Sequence, residues 1–193
     1  MTALFFAFLA FLLGSVPFGF VVGKLHGVDV RNYGSGNIGA TNVSRVLGKK
    51  WGAVVLLLDA LKGALPVLAV KVAGYPLKYQ VLVGLFAVLG HCFSPFLRFR
   101  GGKGVATGLG AFLVISPKVT LLALAVFLLV FFTTRFVSLA SITAALSYPL
   151  FFKFFEKPDP LSFVLVALTA LVVVAKHHSN LRRLLRGEEK KYR

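Results

Sequence analysis

Three short stretches of this 193-residue chain concentrate the side chains that could do chemistry. The first is Gly34-Ser-Gly-Asn-Ile-Gly-Ala-Thr-Asn42, with Arg45 just after it. Glycines let backbone N–H groups approach an anion, while Ser35, Thr41, Asn37, Asn42 and Arg45 supply further hydrogen bonds and charge. Gly34, Gly36 and Gly39 spell G-x-G-x-x-G with Asp59 twenty residues on, but no strand precedes them and Asp59 sits in an apolar run. A dinucleotide site is therefore set aside. The bland alternative is a flexible loop between helices. The second stretch, Arg98-Phe-Arg-Gly-Gly-Lys-Gly-Val-Ala-Thr107, places Lys103 among Gly101, Gly102 and Gly104 just before a helix. A helix N-terminus behind such a loop makes a phosphate cradle. It is not a Walker A loop, because Leu97 stands where a glycine is needed and Gly104, rather than Ser or Thr, follows the lysine. A glycine turn whose basic residues only set orientation is the alternative. The third stretch starts at His177-His-Ser-Asn-Leu-Arg-Arg. On a continuing helix, His177, Asn180 and Arg183–Leu184 share one face. A basic amphipathic end resting on anionic lipid is the alternative there.

Other chemistries lack their residues. Beside these stretches only Asp29, Glu188 and Glu189 carry carboxylates, which argues against paired-carboxylate acid–base work. No His, Cys, Asp and Glu have metal-ligand spacing, so no metal or cofactor is expected. No His is followed five residues later by Asp, so a His oriented by an Asp in that way is absent. Asp59 and Lys62, three apart inside an apolar run, are expected to pair beside the site rather than to form a proton path. His91, after Gly90, is expected to pack or hydrogen-bond rather than to catalyse.

The elements that must position these stretches are membrane helices. The chain is 58% hydrophobic and only 15% charged, with a mean hydropathy of +0.85, and a soluble domain of this length could not hide so much apolar surface. A separate soluble catalytic domain and extended disorder are both excluded. Apolar stretches run at about 3–23, 51–70, 79–97, 104–116, 119–134, 136–152 and 161–175. Their number predicts an all-α integral membrane protein with seven transmembrane helices, forming one polytopic domain over 1–193. The fourth stretch is short for a bilayer, and Ser116-Pro117 breaks it from the fifth. With the N-terminus outside, alternate connections and the tail gather sixteen of the 22 basic residues, against five on the other side. The C-terminus is then cytoplasmic, and the motif segments at about 24–50, 98–104 and 176–193 all face the cytoplasm. The net charge of +16 is read as this bias together with anionic lipid or ligand, and nucleic acid is not expected.

Taken in order, Gly34-Ser-Gly-Asn-x-Gly-x-Thr-Asn42, Gly90-His, Phe99-x-Gly-Gly-Lys-Gly-Val-Ala-Thr107-Gly108 and His177-x-x-Asn180 with Arg183-Leu184 resemble one family. It is the bacterial acyl-phosphate:glycerol-3-phosphate acyltransferases, the PlsY family. Asp59-x-x-Lys-Gly63 also fits, and the motifs span residues 34 to 187; His178-Ser179 departs from the Arg and Glu often found there. The resemblance implies a seven-helix inner-membrane enzyme with its site toward the cytoplasm. It would move a fatty acyl group from acyl phosphate to the 1-hydroxyl of glycerol 3-phosphate, the first acylation of phospholipid synthesis. Ser35 and Arg45 would organise the site and hold phosphate, with Gly34, Gly36, Asn37, Thr41 and Asn42. Lys103 with Gly101, Gly102, Gly104 and Thr107 would hold another phosphate, Arg183 adding charge. Asn180 would donate to the oxyanion. Either His177 or the substrate's own phosphate would take the proton. The protein would act as a monomer in membrane lipid, supplied by a soluble enzyme that makes acyl phosphate. A transporter or channel for phosphate or a phosphorylated metabolite is the reading from another class. Motifs at helix ends and the lack of an internal repeat weigh against it.

Overall fold

The computed structural model describes residues 2–192, which are helical throughout their ordered elements, with no strand among them. Arg193, counted above in the basic tail, lies outside the described residues. Ten helices follow in order: α1 (Thr2–Gly14), α2 (Phe18–Leu25), α3 (Ala40–Leu47), α4 (Lys49–Val72), α5 (Leu77–Cys92), α6 (Val105–Ile115), α7 (Pro117–Thr134), α8 (Val137–Glu156), α9 (Pro160–Lys176) and α10 (His178–Leu185). Five stretches are long and apolar enough to cross a membrane: Leu4–Leu25, α4, Leu77–Leu97, α7 and α8. Helix α9 joined to α10 is a sixth candidate, bent by 57°. By length, five or six of the seven expected spans qualify, and α6, at eleven residues, is the stretch that falls short.

The first stretch is not one continuous helix. It breaks at 15–17, where Pro17 has no N–H to offer and the loosened carbonyls find side-chain donors. Lys62 Nζ donates to Val16 O at 2.7 Å, and Ser94 Oγ to Ser15 O at 2.6 Å. Around the break the helices touch through glycine. The backbone of Ala87 fills the space a Cβ would need at Gly14, and that of Phe11 does so at Gly90, which presses α1 onto α5. The same reciprocity joins α4 and α6 through Gly63 on Thr107 and Gly110 on Ala60. Small residues at such crossings let backbones meet in a medium that gives no hydrophobic drive for helices to associate.

Helix starts follow local signals. Ser116 Oγ accepts from Val119 N and Pro117 opens α7; Asp159 accepts from Ser162 N and Pro160 opens α9. A core of Val67, Val81, Val83, Ala111, Phe112, Val119, Tyr148, Phe152 and Val166 lies between α4, α5, α6, α7, α8 and α9. A smaller cluster of Val22, Val30, Ile38, Val43, Val55 and Leu97 anchors α3 and the 34–42 loop on α2 and α4. Bent helices, a short helix and a folded loop therefore meet around one recess.

Candidate active site

The 34–42 loop is built on Asn42. Its Oδ1 accepts from Ser35 N at 2.7 Å, and its Nδ2 donates to Val30 O and Tyr33 O at 2.9 and 3.1 Å. Asn42 is buried and holds the loop's shape, so the exposed Ser35 is presented at the rim. Gly36 N donates to Tyr33 O, and Gly39 N to Asn37 Oδ1. Gly34 and Gly36, expected to offer their amides to an anion, lie outside the cavity lining. Both have positive φ, at 62° and 69°, and they turn the chain without lining the cavity. What the loop does offer is the N-terminus of α3, where Gly39, Ala40 and Thr41 line the recess and the first N–H groups have no partner within the helix. Helix α3 carries Arg45 one turn further on, at the same wall.

The second glycine stretch divides in two. Gly101 N and Gly102 N donate to Cys92 O and His91 O, and the space a Cβ would need at Gly102 is filled by the His91 ring. Gly101 and Gly102 pack against the backbone of His91 and Cys92 and the His91 ring, and neither lines the recess. Thr107 is likewise buried against Gly63, away from the recess. Lys103, Gly104, Val105 and Ala106 do line it, with Gly104 in left-handed conformation at the start of α6. Two helix N-termini, those of α3 and α6, thus open onto one cavity of about 400 Å³. Asp59 and His91 form part of its inner wall. Lys62 Nζ stands 2.7 Å from Asp59 Oδ1 and His91 Nδ1 3.6 Å, so the expected pair is a triad, buried on all three sides.

The tail does not continue as one helix. It turns by 57° at His177, which ends α9 and precedes α10. The turn still brings His177 and Asn180 to the same cavity, and Arg183 reaches it only through Glu189. His177 Nδ1 lies 2.7 Å from Val173 O, a partner that can only accept. The neutral ring therefore carries its proton on Nδ1 and keeps Nε2 as an acceptor. Burial, reinforced by the Lys103 charge, pulls the imidazole down to about 4, against the pull of Val173 O and Glu189. Lys103 Nζ donates to Asn180 Oδ1 at 2.6 Å. Burial lowers the ammonium to about 8; Arg183 and Arg45 push the same way and Glu189 opposes them.

Residues beyond the motifs also face the cavity. Glu189 accepts from Asn180 Nδ2 at 2.6 Å, Arg183 Nε at 2.6 Å and Ser138 Oγ at 2.7 Å. Burial works to raise its carboxyl, but these hydrogen bonds and the Arg183 charge hold it below the ordinary range. Arg45 donates to Lys190 O at 3.3 Å, and Tyr192 Oη meets Ser44 Oγ at 2.7 Å. Ser138 sits in an apolar run and Glu189 in a charged tail, so neither carried a sequence signal. Among the described residues no three His, Cys, Asp or Glu side chains stand as a metal-ligand group. The cavity's acids and bases are few, and its cations are concentrated.

A second cavity, of about 270 Å³, continues from the first between α6, α7, α8 and α9. Leu56, Gly104, Val105, Ala106, Phe127 and Ser141 line both, and the second is otherwise almost wholly apolar. A polar, cationic chamber opening into an apolar slot suits a molecule with an anionic head and a long hydrocarbon tail.

Comparison with known proteins agrees. Residues 4–187 match the family model described as glycerol-3-phosphate acyltransferase. A glycerol-3-phosphate acyltransferase of Trichlorobacter lovleyi is 52% identical over 194 residues, covering 100% of both chains. One from Aquifex aeolicus is 48% identical over 193 residues, again covering 100% of both. Crystal structures described as PlsY (YgiH), an integral membrane glycerol 3-phosphate acyltransferase, superpose with TM-scores of 0.94 in the glycerol 3-phosphate form and 0.91 in the lysophosphatidic acid form. Their sequences are 44% and 43% identical, and the matches cover 100% of this chain and 96% of theirs.

Proposed function

This chain belongs to the glycerol-3-phosphate acyltransferase family, and from that premise we propose that its acyl donor is acyl phosphate, used directly and without metal. It is an integral membrane enzyme. The transport reading is dropped with that assignment. The observation that carries the donor proposal is the single cavity in which Arg45, Lys103, His177 and Asn180 meet two helix N-termini, continuous with the apolar slot. Two phosphorylated heads need this concentration of donors, and a hydrocarbon tail needs the slot.

The reaction then runs as a direct displacement. The 1-hydroxyl oxygen of glycerol 3-phosphate attacks the carbonyl carbon of the acyl phosphate, which lies where the two cavities join. The carbonyl oxygen becomes an oxyanion, accepting from Asn180 Nδ2 and the first-turn N–H groups of α6. The bond from the carbonyl carbon to the bridging oxygen breaks, and phosphate leaves carrying the hydroxyl proton on one of its own oxygens. The products are 1-acyl-glycerol 3-phosphate and hydrogen phosphate. An acyl phosphate is already an activated anhydride, so positioning and charge stabilisation are what the protein must add. A His177 held at about 4 is a weak base, and its Nε2 instead accepts from the hydroxyl and aims it. Ser35, at the rim, positions the head group. Lys103, Arg45 and Arg183 neutralise phosphate, taking the place of a metal.

We place the site on the cytoplasmic side, with the N-terminus outside, on the distribution of basic residues; a bacterial inner membrane and a monomer are what the family resemblance implies. There it would receive acyl phosphate from a soluble enzyme. The test is purified protein with palmitoyl phosphate and glycerol 3-phosphate in excess EDTA. Equal amounts of lysophosphatidic acid and phosphate are expected. Recovery of activity only on adding Mg²⁺ would overturn the metal-free step, and equal product from palmitoyl-CoA the donor.

A further inference from the structure

The tail after α10 is placed as a ligand of its own enzyme. Gly187, at φ 70°, ends α10 with paired backbone bonds, Gly187 N to Leu184 O and Glu188 N to Arg183 O, a stop that reverses the chain. The reversed segment lines the cavity through Glu189, Lys190 and Tyr192. It is fastened by Arg45 on Lys190 O, by Tyr192 N on Arg135 O and by Tyr192 Oη against Ser44 Oγ. Between these fastenings the Glu189 side chain turns inward until it is only 9% exposed. Its two oxygens take hydrogen bonds from Asn180, Ser138 and Arg183, and Asn180 in turn holds Lys103. A carboxylate from a charged tail has thus left water to meet two donors and one guanidinium at the cationic end of the cavity. That donor set is what a phosphoryl oxygen would seek. Asn180 takes Lys103 on its Oδ1 and gives one of its two Nδ2 hydrogens to Glu189, which leaves the other for an oxyanion.

We propose that the strap Gly187–Tyr192 is a self-ligand, with Glu189 standing where a substrate phosphate binds, so that Ser138, from outside every sequence motif, is a further ligand of that phosphate. This rests on the phosphorylated-substrate reading given above. The strap must withdraw for phosphate to enter, and it returns as product leaves. A site closed nine-tenths of the time has its apparent affinity reduced about tenfold.

The experiment uses the full chain in detergent micelles and inorganic phosphate as the probe, titrated by calorimetry, beside steady-state KM for glycerol 3-phosphate. In Glu189→Ala, phosphate is expected to bind about tenfold tighter than in wild type, with a lower KM. Tyr192→Phe, which loosens the strap while keeping Glu189, should shift binding the same way by a smaller factor. Ser138→Ala, added to Glu189→Ala so that the strap's own bond to Ser138 no longer enters, should weaken phosphate binding several-fold relative to Glu189→Ala alone. A Glu189→Ala protein that binds phosphate no better than wild type overturns the self-ligand. If Glu189→Ala proves unstable on heating, the isosteric Glu189→Gln takes its place with the same expectation. Unchanged binding on adding Ser138→Ala to Glu189→Ala removes Ser138 from the phosphate. Turnover of palmitoyl phosphate by wild type separates the two readings. An active wild type with unshifted variants sinks only the strap, and an inactive wild type with shifted variants sinks only the donor.

Discussion

Lys103 should give the enzyme an alkaline limit that an arginine at the same place would remove. Its ammonium is buried, donates to Asn180 Oδ1 at 2.6 Å, and is held at about 8. Binding of a phosphate dianion requires the charged form, and kcat/KM reports the free enzyme. With a pKa near 8, about nine-tenths of Lys103 is charged at pH 7 and about one-tenth at pH 9, so kcat/KM should fall about tenfold between them. The substrates do not produce this limb, because a phosphate monoester completes its second ionisation near pH 6. In Lys103→Arg the plateau should be lower, since a planar fork replaces a compact head, but the fall above pH 8 should vanish. The same pKa has the opposite consequence for stability. Between about 8 and 10.5 the unfolded chain binds the proton and the folded one does not, so this group's contribution rises with pH across that window and is lost again as pH falls through 8. The full effect is about 3 kcal/mol. The assay is initial rate from pH 6.5 to 9.5, corrected for spontaneous hydrolysis of the acyl phosphate, with thermal midpoints of wild type and Lys103→Met alongside. An identical alkaline limb in Lys103→Arg, or a flat wild-type profile to pH 9, would refute the assignment of Lys103 as the titrating phosphate ligand.

Arg45→Ala should raise KM for glycerol 3-phosphate or acyl phosphate about 10- to 100-fold, the worth of a charge-assisted hydrogen bond to phosphate, while circular dichroism stays unchanged. Asn180→Ala should lower kcat by about 10²–10³, as loss of an oxyanion donor does, whereas His177→Asn should lose about tenfold or less. With His177 held at about 4, the wild-type profile should show no acid limb beyond the one that the substrate's own second phosphate ionisation near pH 6 gives; an additional limb near pH 6.5, together with loss of all activity in His177→Asn, would make His177 the base. Gly102→Ala should destabilise the protein by about 1–3 kcal/mol, because the added methyl meets the His91 ring, and a thermal midpoint equal to wild type would contradict that packing.

Helix length explains what could be read from sequence. Apolar runs near the length of a bilayer crossing have one outcome there, so the positions of α4, α5, α7 and α8 were legible, as was the shortness of α6. Breaks were less so. Pro17 is visible in sequence, but the carbonyls it releases are caught by Lys62 and Ser94 from distant segments, and only that makes the break stable. Helix α3 is eight residues inside a polar loop, too short for a periodic pattern, and it is held by Val43 on Val22 and Val55. The site's residue types were legible because cations, hydroxyls and amides are rare in such a chain. Their individual duties were not. Gly101 and Gly104 look alike in sequence, yet one has its N–H on Cys92 O and the other opens α6 onto the cavity. Asn42 resembles a ligand and is a brace for Ser35. Which way an amide points depends on partners far along the chain.

Chain-length preference follows from the medium around the slot. From Phe127 to Thr120 along α7 the apolar cavity runs seven residues, about 10 Å at helical rise. Phe112, Thr120 and Tyr148 line it toward that end, the two ring centroids 4.8 Å apart and Tyr148 Oη 3.5 Å from Thr120 Oγ1. In water, each methylene buried here would contribute about 0.8 kcal/mol. The alternative for an acyl chain is lipid, however, which is as apolar as the slot, so burial itself discriminates little between lengths. Selection must then come from steric limit, and a substitution that raises the floor should act only on chains long enough to reach it. Ala123 lies one turn above Thr120 and lines the cavity. Ala123→Phe should leave kcat/KM for an octanoyl donor within about twofold of wild type and lower that for a palmitoyl donor by about 5- to 100-fold, the range of an overpacked core. KM for glycerol 3-phosphate should not move, since the phosphate groups bind in the other chamber. Equal loss for both donors would show that the acyl chain does not lie in this slot, and loss confined to the octanoyl donor would reverse the direction in which it enters.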